Sequence, residues 1–341
     1  MKALLLNKTY DLNKNFSPLS LTDIPEPVPS EYDLLIKILA CGVCHTEIDE
    51  IEGRTPPPVY PVVPGHQVIG IIEGKGDKVT KFNIRDRVGV GWIFSSCGKC
   101  EYCLEGNDNL CENFKATGRD VNGGYEEYMV VPENSAFLIP EIFSDSEAAP
   151  LLCAGAIGYR SVKLSGLKDG QSLGLTGFGA SAHIVLKMVK YKFPNTKIYV
   201  FARSGKEREF AVELGAEWSG DTLTECPEKL NCIIDTTPVW MPVVEALANL
   251  KPGGRLVINA IRKEDTDKNY LTKIDYTKHL WMEKEIKSVA NVSTSDIEYF
   301  LHIASEIPLK PEYQEYKLED ANVALLELKQ GKIRGAKVLK M

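Results

Sequence analysis

The stretch Ser172-Leu-Gly-Leu-Thr-Gly177-Phe-Gly179-Ala-Ser-Ala182-His183 sets a G-x-G-x-x-A pattern between a short apolar run and a longer, helically periodic one. That spacing has a physical purpose where a strand turns sharply into a helix. Gly177 allows the tight turn, Gly179 lets the backbone approach a pyrophosphate, and Ala182 lets the helix pack close to the sheet. The helix then opens with free N–H groups and the positive end of its dipole, both suited to phosphate. The competing reading is a glycine-rich turn with no ligand. His183, inside that helix, reads as a packed or capping side chain rather than a catalyst.

Working outward, residues from about 154 alternate between strands and helices. Leu173–Thr176, Lys197–Phe201, Asn231–Asp235 and Arg255–Asn259 read as buried strands, with Glu285–Val289 as a further one. Ser181–Lys192, Lys206–Leu214 and Met241–Leu250 read as the helices between them. Such alternation implies an α/β fold with a doubly wound parallel sheet. The end of the second strand reports the nucleotide. An NAD site needs an acid there to hold the ribose 2′-hydroxyl. Val200-Phe201-Ala202-Arg203-Ser204-Gly205-Lys206 offers none, and Arg203, Ser204 and Lys206 suit a 2′-phosphate. NADP is therefore favoured over NAD, unless Arg203 is only a solvated loop charge.

Residues 1 to about 150 read as β-rich: Leu34–Leu39, Val68–Glu73 and Arg87–Val90 are short runs bounded by proline and glycine clusters. The last fifty residues carry helical runs over Asp296–Glu306 and Leu318–Gln330 and a final strand, Ala336–Leu339, and are expected to return to the first domain. The chain has 341 residues, enough for two domains, with 44% hydrophobic and 26% charged residues. A net charge of −7 argues against nucleic acid or an anionic membrane as the main partner. Nine cysteines, an odd number grouped for metal, point to a reducing, cytoplasmic setting. The apolar run at Met1–Asn7 is too short for a signal peptide, and no stretch of about 18 apolar residues would span a membrane.

Cys97-Gly-Lys-Cys100-Glu-Tyr-Cys103, with Cys111 seven residues beyond, brings four thiolates onto one short loop. This suits a closed tetrahedral zinc site that supplies folding energy to a lobe without its own core. An iron–sulfur run would need a shorter last spacing and a proline after the fourth cysteine; Glu112 follows Cys111.

Three further motifs are Cys41-Gly-Val-Cys44-His45-Thr46-Glu47, Pro64-Gly65-His66-Gln67 and Leu152-Cys153-Ala-Gly155. Together with the four-cysteine loop they resemble the zinc-dependent medium-chain alcohol dehydrogenase family, in the expected order and across essentially the whole chain. The resemblance implies a β-rich GroES-like catalytic domain (1–153 and 291–341) and a Rossmann domain (154–290) with a six-stranded sheet. It implies two zinc ions per chain, the catalytic one held by Cys44, His66 and Cys153. Three protein ligands leave a fourth position for alcohol, aldehyde or water, and zinc there acidifies an alcohol and polarises an aldehyde. Thr46 matches the hydroxyl that begins the proton relay, and a helix N-cap is its alternative. His45 matches a contact to the coenzyme pyrophosphate, and Ala180 and Asn259 join the glycines as coenzyme-binding positions. Glu47 matches a carboxylate that orients His66, against a solvated surface acid. Trp92 matches an aromatic lining the substrate pocket, against a core aromatic. Thr55 stands where some relatives carry a bulky aromatic, so aldehydes larger than acetaldehyde are expected to fit. Cys41, Cys226 and Cys232 are left as ordinary packed thiols.

Two positions depart from the family pattern. Gln67 follows the histidine where many relatives have Glu, which leaves the metal site one charge more positive. Asp49 stands where the relay in several relatives ends in His; it either hands protons to solvent or is a surface charge. The implied activity is reversible hydride transfer between NAD(P)(H) and a primary or secondary alcohol or its carbonyl product. A polyol or amino-alcohol dehydrogenase of the same superfamily is one rival, and a non-catalytic zinc-binding interaction protein is another. One zinc per chain would favour the latter. Relatives are dimers or tetramers, and Arg255–Asn259 and Glu285–Val289 are the candidate edge strands for such assembly.

Overall fold

The computed structural model describes residues 1–307, 309–332 and 335–341. The chain divides into two compact units, Met1–Ala156 with Val292–Met341, and Ile157–Asn291.

The first unit is built on β1 (Asp33–Val43), followed at once by helix α1 (His45–Ile51), then β2 (Val68–Lys75), β3 (Arg87–Val90), β4 (Tyr128–Pro132) and β5 (Ala136–Leu138). β1 reads DLLIKILACGV, and its buried positions alternate through the first half as a one-sided sheet requires. It pairs antiparallel with both β2 and β4. β2 pairs with β3, and β3 with β5. Ile36, Ile38, Val68, Ile72, Val88 and Val90 meet in one core. Burial of each such side chain contributes about 1.5–3 kcal/mol. The β1–β2 register, Cys41 opposite Val68, ends with Gly42 N–H bonded to Gln67 O. Residues just after β1 and just before β2 are thereby brought side by side.

The second unit opens in helix α2 (Ala154–Ser165), which contains the boundary. β6 (Ser172–Thr176), α3 (Ala180–Lys192), β7 (Lys197–Phe201), α4 (Gly205–Glu213), β8 (Trp218–Gly220), β9 (Leu230–Asp235), α5 (Met241–Ala248), β10 (Leu250–Ile258) and β11 (Glu285–Ser288) follow. The sheet runs β8-β7-β6-β9-β10-β11, and every pairing is parallel. Both faces of a parallel sheet are covered, so its central strands read as unbroken apolar runs; all five residues of β6 are buried. Two expectations need correction. Arg255–Asn259 is no edge: it belongs to β10, which lies between β9 and β11. The edges are β11 and the three-residue β8, which the sequence reading did not find. The α5 helix also stops at Ala248, and Leu250 already begins β10.

The tail returns to the first unit with α6 (Thr294–Glu306), β12 (Tyr313–Lys317), α7 (Ala321–Lys329) and β13 (Ala336–Lys340). β13 lies between β12, to which it is parallel, and β1, to which it is antiparallel. Lys337 is almost wholly buried and its ammonium bonds Glu327 on α7 at 2.7 Å. The run expected as a helix from Leu318 starts with one 3-10 turn, Leu318–Asp320, before α7.

Candidate functional site

Cys44 caps the N-terminus of α1: its Sγ accepts from Thr46 N–H at 3.4 Å. The reciprocal half of the cap is Glu47, whose Oε2 accepts from Cys44 N–H at 2.8 Å. The other oxygen of the same carboxylate, Oε1, lies 2.6 Å from His66 Nδ1, with both side chains fully buried. That contact leaves Nε2 facing Cys44, 3.7 Å from its Sγ. Cys153 completes the group. It follows the 3-10 turn Ala149–Leu152, which is buried throughout and seated against β3, where Gly89 has no room for a Cβ beside Leu152. The ligand atoms of Cys44, His66 and Cys153 all lie within 4.8 Å of one another. Tetrahedral zinc spaces such atoms by roughly 3.5–3.8 Å.

The electrostatics suit a cation. A hydrogen bond that the Cys44 thiol donates to Cys153, burial and Glu47 together hold that thiol well above its usual pKa. Burial disfavours charge on His66, but Glu47 and Cys44 outweigh it and raise the imidazole well above its ordinary value. Negative potential thus draws protons onto the donor atoms, and a dication satisfies the same potential. Two sulfurs and one imidazole are a zinc donor set, and three ligands leave one position open. Gly65 adopts φ +99°, and a Cβ there would lie 2.5 Å from the Tyr125 ring, so the turn before His66 requires glycine.

The neighbouring candidates fall in different places. Thr46 is buried within the first turn, and Cys44 rather than Thr46 is the N-cap. Asp49 is not a surface charge: it is buried and held by Arg54, with Nη2 2.6 Å from Oδ1. Gln67 is buried over Gly42. Cys41 is fully buried and stands apart from the ligand group. His45 is exposed at the first position of α1. Trp92 is buried against Phe114, with ring centroids 5.1 Å apart and the Arg119 guanidinium over its face. Its Nε1, like Thr55 Oγ1, has no hydrogen-bond partner among the described residues. Glu50 was not singled out from the sequence. It is buried, neither oxygen is hydrogen-bonded among the described residues, and burial and Glu47 hold its carboxyl well above the usual range. The signal available was its spacing: three residues past Glu47, it shares a helical face with it.

The four-cysteine loop forms a second group, with Cys97, Cys100, Cys103 and Cys111 sulfurs within 4.8 Å of one another. Backbone N–H groups of Cys97 and Cys100 donate to Cys111 and Cys97 sulfurs, each at 3.4 Å. N–H bonds from Lys99 and Cys100 lower the Cys97 thiol to about 6, toward the thiolate a metal needs. The lobe buries little of its own: Leu104 and Leu110 both point to solvent. Asp108 accepts from Thr294 N–H at 3.0 Å, tying the lobe to the start of α6. Cys226 and Cys232 are buried, and Cys232 donates to Ser165 O.

In the second unit Gly177 has φ +76°, and a Cβ on it would lie 2.8 Å from Thr236 Oγ1. Gly179 is the N-cap of α3 and has open space where a Cβ would be; Ala180 begins the helix and Ala182 is fully buried. His183 is buried, and its Nδ1 donates to Gly179 O at 3.1 Å. Arg203, Ser204 and Lys206 are exposed just past β7. Arg208 donates to the carbonyls of Ala202 and Arg203 at 2.7 and 2.9 Å and holds that loop. Asn259 is buried, with its side-chain amide donating to Ser161 Oγ at 2.8 Å.

Residues 30–141 match the family model of the alcohol dehydrogenase GroES-like domain. A probable alcohol dehydrogenase AdhA of Mycobacterium tuberculosis is 39% identical over 323 residues, spanning 93% of this chain and 91% of that protein. An alcohol dehydrogenase of Geobacillus stearothermophilus is 30% identical over 343 residues, 98% and 99% of the two chains. A solved cinnamyl alcohol dehydrogenase of Sorghum bicolor superposes with a TM-score of 0.83 at 27% identity, covering 99% of this chain and 97% of that one.

Proposed function

Because the chain belongs to the zinc-dependent medium-chain alcohol dehydrogenase family, an NAD(P)-dependent oxidoreductase family of alcohols and aldehydes, we propose that its chemistry runs at the Cys44, His66 and Cys153 group. The observation that carries this reading is Glu47, one carboxylate that fixes Cys44 through its backbone and His66 through its ring. Zinc held by these three residues supplies Lewis acidity to the substrate oxygen, and a nicotinamide supplies or accepts hydride. The chain's own work is orientation and proton movement. Glu47 sets which nitrogen of His66 is turned toward the cysteines. Thr46, buried beside its Cys44 neighbour, carries a hydroxyl that donates and accepts at once and so passes the substrate proton onward. Asp49, three residues past Thr46 and bound to Arg54, is the candidate exit of that relay. Trp92 and Thr55 line the pocket, each with a polar atom that has no partner among the described residues.

The Cys97–Cys111 group holds a second, structural zinc, for two per chain. Gly177, Gly179, Ala180 and Ala182 take the pyrophosphate, Asn259 closes the strand-end wall, and the family pattern alone assigns His45 to the coenzyme. Arg203, Ser204 and Lys206, exposed with no acid among them, favour NADP. Small Thr55 favours aldehydes bulkier than acetaldehyde, in keeping with cinnamyl alcohol dehydrogenases among the relatives. The exposed edge of β11 supports a homodimer or homotetramer, and nine unpaired cysteines support a cytoplasmic setting. No helix among the described residues is long and apolar enough to cross a membrane.

The test is a zinc assay together with aldehyde reduction and alcohol oxidation followed at 340 nm, with NADPH/NADP⁺ and NADH/NAD⁺ in parallel. Two zinc per chain and faster turnover with NADPH on branched and aromatic aldehydes are expected. Preference for NADH would overturn the Arg203 assignment alone. No turnover of any alcohol or aldehyde by zinc-replete protein would overturn the catalytic reading.

A further inference from the structure

Strands β6, β7 and β8 run outward in one direction and β9, β10 and β11 in the other, so the strand order reverses between β6 and β9. Ligands of open α/β sheets bind outside the carboxyl ends at such a point. The terminal residues there are register neighbours, Thr176 opposite Asp235. Asp235 is fully buried. Its Oδ1 accepts from the hydroxyls of Thr176 and Thr237, the latter at 2.8 Å, and its Oδ2 from Lys263 Nζ. The Lys263 side chain is 6% exposed. Its ammonium also donates to Thr237 O at 2.7 Å and Val239 O at 3.0 Å, so all three protons are engaged. Thr236 returns two bonds to Thr176 O, from N–H at 3.0 Å and from Oγ1 at 2.9 Å. That Oγ1 is the atom that leaves no space for a side chain on Gly177.

A buried ion pair adds little net stability, and apolar residues of the same size often do as well. A reason for keeping one lies in what it positions. Here it laces the Thr236–Val239 loop to the strand ends that carry the glycine turn. We propose that Asp235 and Lys263 are positioning residues for the dinucleotide: their ion pair sets the gap between Gly177 and the Thr236–Val239 loop to the width the coenzyme needs. They touch no reacting atom. The inference rests on the reading that this turn binds NAD(P).

The full-length, zinc-loaded protein is compared with Lys263→Arg, Thr237→Val and the double variant Asp235→Asn/Lys263→Met. Lys263→Met alone would leave Asp235 an unpaired buried charge, and Thr237→Val keeps the ion pair should the double variant fail to fold. Dissociation constants for NADPH and NADH are read from nicotinamide fluorescence, beside zinc content and melting temperature. The double variant is expected to keep wild-type zinc and bind coenzyme at least about tenfold more weakly, with KM for coenzyme rising more than kcat falls. Thr237→Val should show a smaller loss of the same kind, and Lys263→Arg should recover most of the affinity. Folded variants that melt lower but bind both nucleotides within about twofold of wild type would overturn the proposal. Failure of the wild type to bind either nucleotide would overturn the coenzyme reading and this inference with it.

Discussion

Glu47 is the side chain on which the proposed metal site most depends, because it serves the backbone of Cys44 and the ring of His66. Glu47→Ala is expected to weaken zinc binding at the Cys44 group by about 10–100-fold, measured by chelator competition, with the second zinc retained. Full retention of both would show that the cysteines hold the site unaided. Thr55→Trp should impair bulky aldehydes and spare small ones; equal losses on both would remove Thr55 from the pocket. Legibility at this scale followed sequence distance. The four clustered cysteines announce a metal by spacing alone. Cys44, His66 and Cys153 come together only through strand pairing and a distant turn, so resemblance rather than local pattern identified them. Burial of Asp49 could not be read, since its partner Arg54 lies beyond the helix end and any acid on a short helix looks solvated.

Elements were readable where one physical rule dominated. β7 matches its expected bounds because a strand covered on both faces must be apolar along its length. β8 escaped notice because three half-buried residues, Trp218–Gly220, carry no periodicity. The α5–β10 junction was misplaced because only Asn249 separates them and no proline or glycine marks the break. Strand order is invisible to periodicity, so nothing in the sequence of β10 marks it as an interior strand. The Cys97–Cys111 lobe buries little of its own, so the structural zinc proposed for it is what would hold it. Cys103→Ser should therefore lose about one zinc per chain and open the lobe to trypsin at Lys99. A variant with full zinc and unchanged proteolysis would mean the lobe is held by its tether to Thr294 instead.

At the scale of the molecule, burial pushes the Glu126 carboxyl up to about 8, against 4.5 for a free side chain. Between those values the unfolded chain binds fewer protons than the folded one, so stability falls as pH rises from about 4.5 to 8 and levels off above. Glu126→Gln should remove this slope and stabilise the protein at pH 9 by a few kcal/mol, read from urea unfolding at pH 6 and 9. Parallel pH dependence in wild type and variant would contradict it. All four residues of β11 are exposed on a free sheet edge. Wild-type protein should scatter light as a dimer or tetramer, and Ile286→Asp should lower its mass; an unchanged mass would place the interface elsewhere. The position of β13 has a consequence for biosynthesis. This strand lies between β12 and β1, so the first unit's sheet stays incomplete on the ribosome until residues 336–340 have emerged. The unit begun first is closed last, while Ile157–Asn291 has every strand of its sheet in hand earlier. A nascent chain stalled before residue 336 should therefore show a protease-resistant second unit flanked by a first unit still open to cleavage.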